Sequence, residues 1–146
     1  MFENVLVGGI FGGGRAERAA SAPALAALQL TGLAGRANTR AGTLTLLERK
    51  RLELARALAT APRVLLLDEI AGGLSEPEVH QLVEVIQRVH QEGVAIVWIE
   101  YIVHALRSVV SRLAVISAGR LLTEGPPDDV MRSPEVQRVY LGIDVQ

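Results

Sequence analysis

The stretch RVLLLDEIAGGLSEPE, residues Arg63–Glu78, is the most informative part of the sequence. An apolar run without alternation, VLLL, leads directly into Asp68 and Glu69, and such a run is typical of a parallel strand covered on both faces. Adjacent carboxylates at a strand end are suited to holding a cation. Taken alone, however, the same two acids could simply end a strand and begin the next helix.

The segments on either side have the periodicity of amphipathic helices. In TLTLLERKRLELARALATAP, mainly apolar positions recur at steps of three and four, and the pattern ends at Pro62. Thr45 and Glu48, three residues apart, have the form of a capping box at the start of this helix. Ser75 with Glu78 begins a second helix, which ends near Gly93. The recurring positions of the first helix are Leu44, Leu47, Arg51, Leu54 and Leu58, and those expected on one face of the second are Val79, Leu82, Val83, Ile86 and Val89.

A second buried strand, VAIVWIE, follows this helix, which predicts a βαβ unit with parallel strands. Asp68, Glu69, Glu100 and Tyr101 then fall at the carboxyl ends of the strands, where open α/β sheets bind ligands. We expect a third helix over residues 102–110, and strands RLAVIS and RLLTEG, joined by a turn at Ala118-Gly119, that complete the sheet. Two short helices introduced by prolines end the chain.

Composition narrows the possible functions. The 146 residues are 49% hydrophobic, with a net charge of -1, which predicts one domain and no general attraction to nucleic acid. The absence of cysteine excludes disulfides and thiolate metal sites, and His80, His90 and His104 have no ligand spacing. No apolar run approaches the roughly 18 residues of a membrane helix and no signal peptide is evident, so we expect a soluble chain.

The first 43 residues are rich in glycine, alanine and arginine, and predict a loop followed by short helices, with a break at Pro23. Gly9 and Gly14 have the separation of a phosphate-binding P-loop after a plausible strand, NVLV. Arg15 stands where the phosphate-binding lysine belongs, and Ala16 has no hydroxyl for magnesium. We therefore interpret the segment as a glycine-rich loop without a phosphate site.

The ordered motifs LARALATAP, VLLLDE, a glycine turn, AIVWIE and GRLLTEGPPDDVMRSPEVQRVYLG resemble the C-terminal part of an ABC transporter ATP-binding subunit. The branched-chain amino acid import group is the most similar, and the resemblance extends from FENVLVGG to VYLG. It implies an α/β fold, a partial P-loop NTPase (ABC cassette) fold. In this fold a parallel sheet is flanked by helices, and the N-terminal P-loop strand is lacking. It also implies Walker B roles, with Asp68 holding magnesium through water and Glu69 polarising the attacking water.

The resemblance also implies nucleotide contacts for residues at the start of the first amphipathic helix. Thr45, Leu46, Leu47 and Glu48 occupy the signature position, where the family usually has serine, two glycines and glutamine. The two leucines replace residues that let backbone approach a phosphate, and Glu48 brings a negative charge. Arg49, Lys50, Arg51 and Arg56 follow and are interpreted mainly as a solvated helix face.

Two more family positions are occupied unusually. AGGLS, with Gly73 and Ser75, stands at the D-loop, where an aspartate commonly replaces the serine. Tyr101 takes the place of the switch histidine, and a neutral phenol can donate a hydrogen bond but supplies no cationic contact. His104 lies three residues further on and is interpreted as a helix-surface histidine.

The implied organisation has three parts. Residues 1–43 form a remnant of the helical subdomain, residues 44–125 carry the signature helix, Walker B, D-loop and switch strand, and residues 126–146 form C-terminal helices. The complete family member uses Mg²⁺ and ATP and pairs with a second cassette and transmembrane permeases at the inner face of the cell membrane, without nucleic acid.

The 146 residues are too few to include a P-loop strand and helix before the helical subdomain. We therefore interpret them as a C-terminal fragment or shortened gene product that has no ATPase activity alone. Without the N-terminal strands, we expect exposed apolar surface and self-association. The alternative is a non-enzymatic interaction module that pairs with intact cassettes. An unrelated small α/β domain with one acidic metal site is a third hypothesis.

Overall fold

The computed structural model describes residues 1–107 and 109–140, which divide into two units, Met1–Tyr101 and Ile102–Gln146. The helices and strands of the first unit are α1 (Phe2–Val7), α2 (Glu17–Leu30), α3 (Leu46–Leu58), β1 (Val64–Asp68), α4 (Glu76–Gln91) and β2 (Ala95–Ile99). Those of the second unit are α5 (Val103–Arg107), β3 (Leu113–Ser117), β4 (Arg120–Gly125), α6 (Pro127–Arg132) and α7 (Pro134–Tyr140). None of the helices in these described ranges is long and apolar enough to cross a membrane.

The glycine-rich segment near the N-terminus is helical, so the predicted loop is wrong, and NVLV lies within a helix. Helix α1 continues into a π-helical turn over Gly8–Gly12. A Cβ atom on Gly8 would lie 2.6 Å from the backbone oxygen of Arg56, which only glycine permits. The Arg15 guanidinium donates to the backbone oxygen of Ala59 at 2.9 Å, beside the C-terminal end of α3. Glycine and arginine here serve helix packing.

Helices α1, α2 and α3 share one hydrophobic core in the first unit. The predicted break at Pro23 is also wrong, because this proline lies inside α2. Its missing N–H removes one helical hydrogen bond, and the packed face of the helix offsets that loss. The buried residues of this core are Met1, Val5, Ala24, Ala27, Leu28, Leu33, Leu44, Leu52, Ala55 and Ala59.

Both predicted helix starts are confirmed. At α3, the Thr45 hydroxyl accepts from the Glu48 N–H at 3.3 Å, and the Glu48 carboxylate accepts from the Thr45 N–H at 2.9 Å. At α4, the Glu78 carboxylate accepts from both the N–H and the hydroxyl of Ser75, at 2.8 and 2.7 Å. The reciprocal pair at α3 satisfies two backbone donors near the helix start, and the Glu78 carboxylate satisfies the Ser75 N–H at α4.

Strands β1 and β2 pair in parallel on either side of α4, which confirms the predicted βαβ unit. The predicted inner face of α4 is buried along its length. Leu66 lies beside Val97 and Asp68 lies beside Ile99 in the register. The carboxyl ends of both strands therefore meet at one edge.

The prediction that β1 is covered on both faces is wrong for the part of the chain that the structure describes. Leu65 and Leu67 are buried, whereas Leu66 is 74% exposed and Val97 is 53% exposed. We call the exposed side, formed by Val64, Leu66, Asp68, Ala95, Val97 and Ile99, the bare sheet face. The continuous apolar pattern requires two covering layers, and the described residues supply one.

Strands β3 and β4 do not complete the sheet of β1 and β2, as the sequence had led us to expect. They form a separate antiparallel pair in the second unit. The predicted turn is present, with positive φ at Ala118 (48°) and Gly119 (74°), as a two-residue hairpin requires. Local closure by this turn favours pairing with the neighbouring strand, while Val130 and Val136 from α6 and α7 are buried in the same unit.

Non-glycine residues adopt the left-handed region at three described positions, Ala61 (φ 55°), Glu69 (φ 48°) and Ala118 (φ 48°). This region costs an L-residue about 1–2 kcal/mol relative to the right-handed one. Ala61 ends the segment after α3, and Glu69 is one of the two strand-end acids. The strain at Glu69 is maintained at a position that the sequence assigns to chemistry.

Glycine at either strained position should stabilise the chain. We expect Ala61→Gly and Glu69→Gly each to raise the free energy of unfolding by about 0.5–1 kcal/mol, because relief of strain exceeds the added freedom of the unfolded chain. Urea denaturation measures the change. The matched control Ala57→Gly, inside α3, should instead lower stability by about 1 kcal/mol. Equal losses at positions 57, 61 and 69 would contradict the strain argument.

The bare sheet face should drive self-association of the isolated chain. We expect light scattering to show species larger than the 15.6 kDa monomer that grow with concentration. The double variant Leu66→Lys/Val97→Glu places opposite charges at neighbouring exposed positions and should shift the chain toward monomer. Leu25→Lys, at an exposed site on α2, should leave the distribution unchanged. Monomeric wild type at all concentrations would exclude this role for the face.

Candidate functional site

The candidate site lies at the carboxyl edge of β1 and β2, where Asp68, Glu69 and Tyr101 follow the two strands. The Glu69 N–H donates to the Ile99 backbone oxygen at 2.9 Å and extends the ladder by one residue. The Gly72 N–H then donates back to the Glu69 oxygen at 3.1 Å, so the chain turns immediately after the acid.

The carboxylates of Asp68 and Glu69 are exposed, and neither has a hydrogen bond or ion pair within residues 1–107 and 109–140. Both are therefore available to a ligand. The same described ranges contain no cluster of three or more His, Asp or Glu side chains that could hold a metal. A hard cation here would need water or phosphate oxygens for the rest of its shell, which is the usual arrangement for Mg²⁺.

A shallow groove of about 200 Å³ runs between α3 and β1 and reaches Asp68. Its lining residues are Lys50, Glu53, Leu54, Ala57, Leu65, Leu66, Leu67, Asp68 and Ile70. Neither Glu69 nor Tyr101 lines it. The groove carries one basic side chain and much apolar surface, so it offers no concentrated set of donors for a polyphosphate.

The N-terminus of α3 is occupied by its own capping box. The Thr45 N–H, together with the Arg36 guanidinium that pairs with Glu48, holds the pKa of the Glu48 carboxyl below its ordinary value. Glu48 is thus ionised at neutral pH and fills a backbone donor that a phosphate would otherwise use. This geometry weakens the anion site that a helix N-terminus normally provides.

The start of α3 and the turn before α4 approach each other at Leu46 and Gly73. A Cβ atom on Gly73, whose φ is 80°, would lie 3.2 Å from Cδ2 of Leu46. Leu47 is buried, while Leu46 is 39% exposed. The Ser75 hydroxyl donates to the Glu78 carboxylate and lowers its pKa, so this serine is engaged in helix capping.

Tyr101 lies two residues after the end of β2 and is 69% exposed. His104 lies in α5, outside the unit that contains Tyr101. Sequence reasoning placed Glu100 at the strand end without a role, yet it is the one buried ionisable residue of the described ranges. An acid directly after a buried strand was the available signal.

Comparison with known proteins agrees with this architecture. Residues 120–145 match the family described as "Branched-chain amino acid ATP-binding cassette transporter". The chain is 36% identical over 129 residues to the high-affinity branched-chain amino acid transport ATP-binding protein BraF of Pseudomonas aeruginosa, covering 88% of the chain and 51% of BraF. It is 34% identical over 116 residues to LivG of Escherichia coli K12, covering 79% of the chain and 46% of LivG.

Solved structures show the same fold. The ADP conformation of MJ1267, an ATP-binding cassette of an ABC transporter, superposes with a TM-score of 0.87 at 23% identity, over 97% of the chain and 62% of MJ1267. The predicted ABC cassette fold is therefore confirmed. The chain belongs to the family of branched-chain amino acid ABC transporter ATP-binding subunits, and it spans about half the length of the curated relatives it matches.

Proposed function

We propose that this chain supplies the magnesium-holding and water-activating part of the nucleotide site of an ABC importer for branched-chain or other amino acids. The observation that carries the proposal is the carboxyl edge of β1 and β2. Two unpaired acids lie there, the second on a strained backbone, beside the end of the neighbouring strand that bears Tyr101. Strain and free carboxylates at one sheet edge favour catalysis over simple strand termination.

The described residues can hold the magnesium of Mg-ATP but not its phosphates. Asp68 is an exposed hard oxygen ligand. One or two carboxylates are enough for a magnesium ion, which keeps most of its water. Bound Mg-ATP supplies the γ-phosphoryl group for transfer and much of the charge neutralisation. The described residues hold no P-loop, because the glycine segment is helical and Arg15 contacts the end of α3.

Each residue has a distinct task in the proposed site. Asp68 would hold magnesium through water with its carboxylate. Glu69 accepts a proton at a carboxylate oxygen from the attacking water, and its position one residue further on separates this task from metal binding. Tyr101 donates a neutral hydrogen bond from its hydroxyl and contributes no cationic charge.

The second group of proposed site residues faces a partner cassette. Thr45, Leu46, Leu47 and Glu48 at the start of α3, with Gly73 and Ser75, form the surface toward the nucleotide of the opposite subunit. The relatives carry names that include ATP-binding and transport, and cbiO1 of Clostridium perfringens is described as part of the ABC transporter complex cbiONQ. We extend these roles to the complete protein, with permease partners and a location on the cytoplasmic side of the membrane.

The isolated chain should not bind nucleotide tightly. We expect calorimetry with Mg-ATP to show no saturable binding in the micromolar range, because the described residues provide no lysine and backbone nest for the phosphates. A chain completed with the N-terminal half of BraF is the positive control. Micromolar binding by the 146 residues alone would overturn the assignment of the phosphate grip to another segment.

In that completed cassette, Glu69→Gln should abolish turnover and spare ATP binding. Removing a general base typically lowers the rate by about 10²–10⁴-fold, whereas the amide keeps the size and hydrogen bonding of the side chain. Phosphate release and nucleotide binding are measured on the same preparation. Glu76→Gln, an exposed acid in the first turn of α4, serves as the control and should keep full activity. Unchanged turnover after Glu69→Gln would refute the catalytic role.

A second candidate function is a non-enzymatic module that binds intact cassettes. The bare sheet face favours it, because exposed apolar side chains on neighbouring strands suit burial against another protein. The internally capped N-terminus of α3 also favours it. The discriminating experiment asks whether the chain co-purifies with an intact cassette or permease and alters its ATPase rate.

A further inference from the structure

Glu100 is a buried acid with two backbone donors at the edge that carries the candidate site. It directly follows β2 in the first unit, and the residue is 9% exposed. One carboxylate oxygen accepts from the Ala71 N–H at 2.7 Å, across 29 positions of sequence. The other accepts from the N–H of Tyr101 at 3.1 Å. Each oxygen therefore has a specific backbone partner.

These two hydrogen bonds connect the two strand ends. Ala71 lies two residues after Glu69, inside the turn closed by the Gly72 N–H and the Glu69 oxygen. On its other side, Glu69 is tied by its own N–H to Ile99. The strained residue is thus held from both directions by consecutive residues of the second strand, Ile99 and Glu100.

We propose that Glu100 is a positioning residue that clamps the turn after Glu69 to the backbone of Tyr101. The proposal rests on the proposed function for the roles of Glu69 and Tyr101, and it adds a residue to which no role has been assigned. A carboxylate suits the task because it offers two charged acceptors in one plane, and charge-assisted hydrogen bonds are the strong ones. The clamp makes the position of the Glu69 backbone depend on the position of the second strand end.

Amide substitution separates the two halves of the clamp. Glu100→Gln retains one acceptor oxygen, which can satisfy the buried Ala71 N–H. Its nitrogen is a donor and faces the Tyr101 N–H, so that hydrogen bond is lost. Glu100→Ala removes both acceptors and leaves the Ala71 N–H buried without a partner.

Hydrogen exchange resolved to single amides tests the clamp in the nucleotide-free 146-residue chain. We expect Glu100→Ala to accelerate exchange at Ala71 and Tyr101 by about tenfold or more, and Glu100→Gln to do so at Tyr101 alone. Glu92→Gln, an exposed acid after α4, is the control for loss of charge. Unchanged exchange at Ala71 in Glu100→Ala, or equal acceleration throughout the first unit, would overturn the proposal.

A double-mutant cycle tests positioning as distinct from general support. Glu69→Gly should raise the folding equilibrium constant about threefold in the wild-type background, because it relieves strain. In the Glu100→Ala background, which removes the acceptor of the Ala71 N–H, we expect the gain to fall below about 1.5-fold, since a loosened turn lets Glu69 relax. An unchanged gain would show that Glu100 does not constrain Glu69. Neither measurement depends on ATP, so each can fail independently of the proposed ATPase role.

Discussion

The hydrogen bond from the Glu69 N–H to the Ile99 oxygen, at the end of the parallel ladder, is the constraint on which the candidate site depends. It carries the strand pairing one residue beyond Asp68 and forces the chain to turn with a positive φ. A looser strand end would leave both acids free but without a defined arrangement.

The same strand pair carries the bare sheet face, an apolar surface that is exposed. Two parallel strands with exposed Leu66 and Val97 cannot form a stable sheet layer in water without further cover. The chain also spans about half of its curated relatives. The cover of the bare sheet face has to come from outside the described residues, and under the proposed function the phosphate-binding segment does too. Additional chain on this sheet would serve the two needs together.

Local rules predicted the elements that local interactions determine. The capping pairs Thr45–Glu48 and Ser75–Glu78, the periodic face of α4 and the hairpin turn at Ala118 were readable because each depends on residues a few positions apart. The helical state of Gly8–Gly12 was not, since it depends on close contact with the distant end of α3. The coverage of β1 and the separation of β3 and β4 likewise depend on packing that periodicity does not encode. The acids of the candidate site were identified from their strand-end position, whereas the clamp of Glu100 depends on a contact across 29 positions.

The central claim is that water activation resides in this chain and phosphate binding resides in another segment. Its most direct test is phosphate release by the chain, by the N-terminal half of BraF, and by the two together at equal concentration. The account predicts release from the mixture and none from either part alone. Hydrolysis by the 146 residues alone, or a mixture that binds Mg-ATP without releasing phosphate, would contradict it.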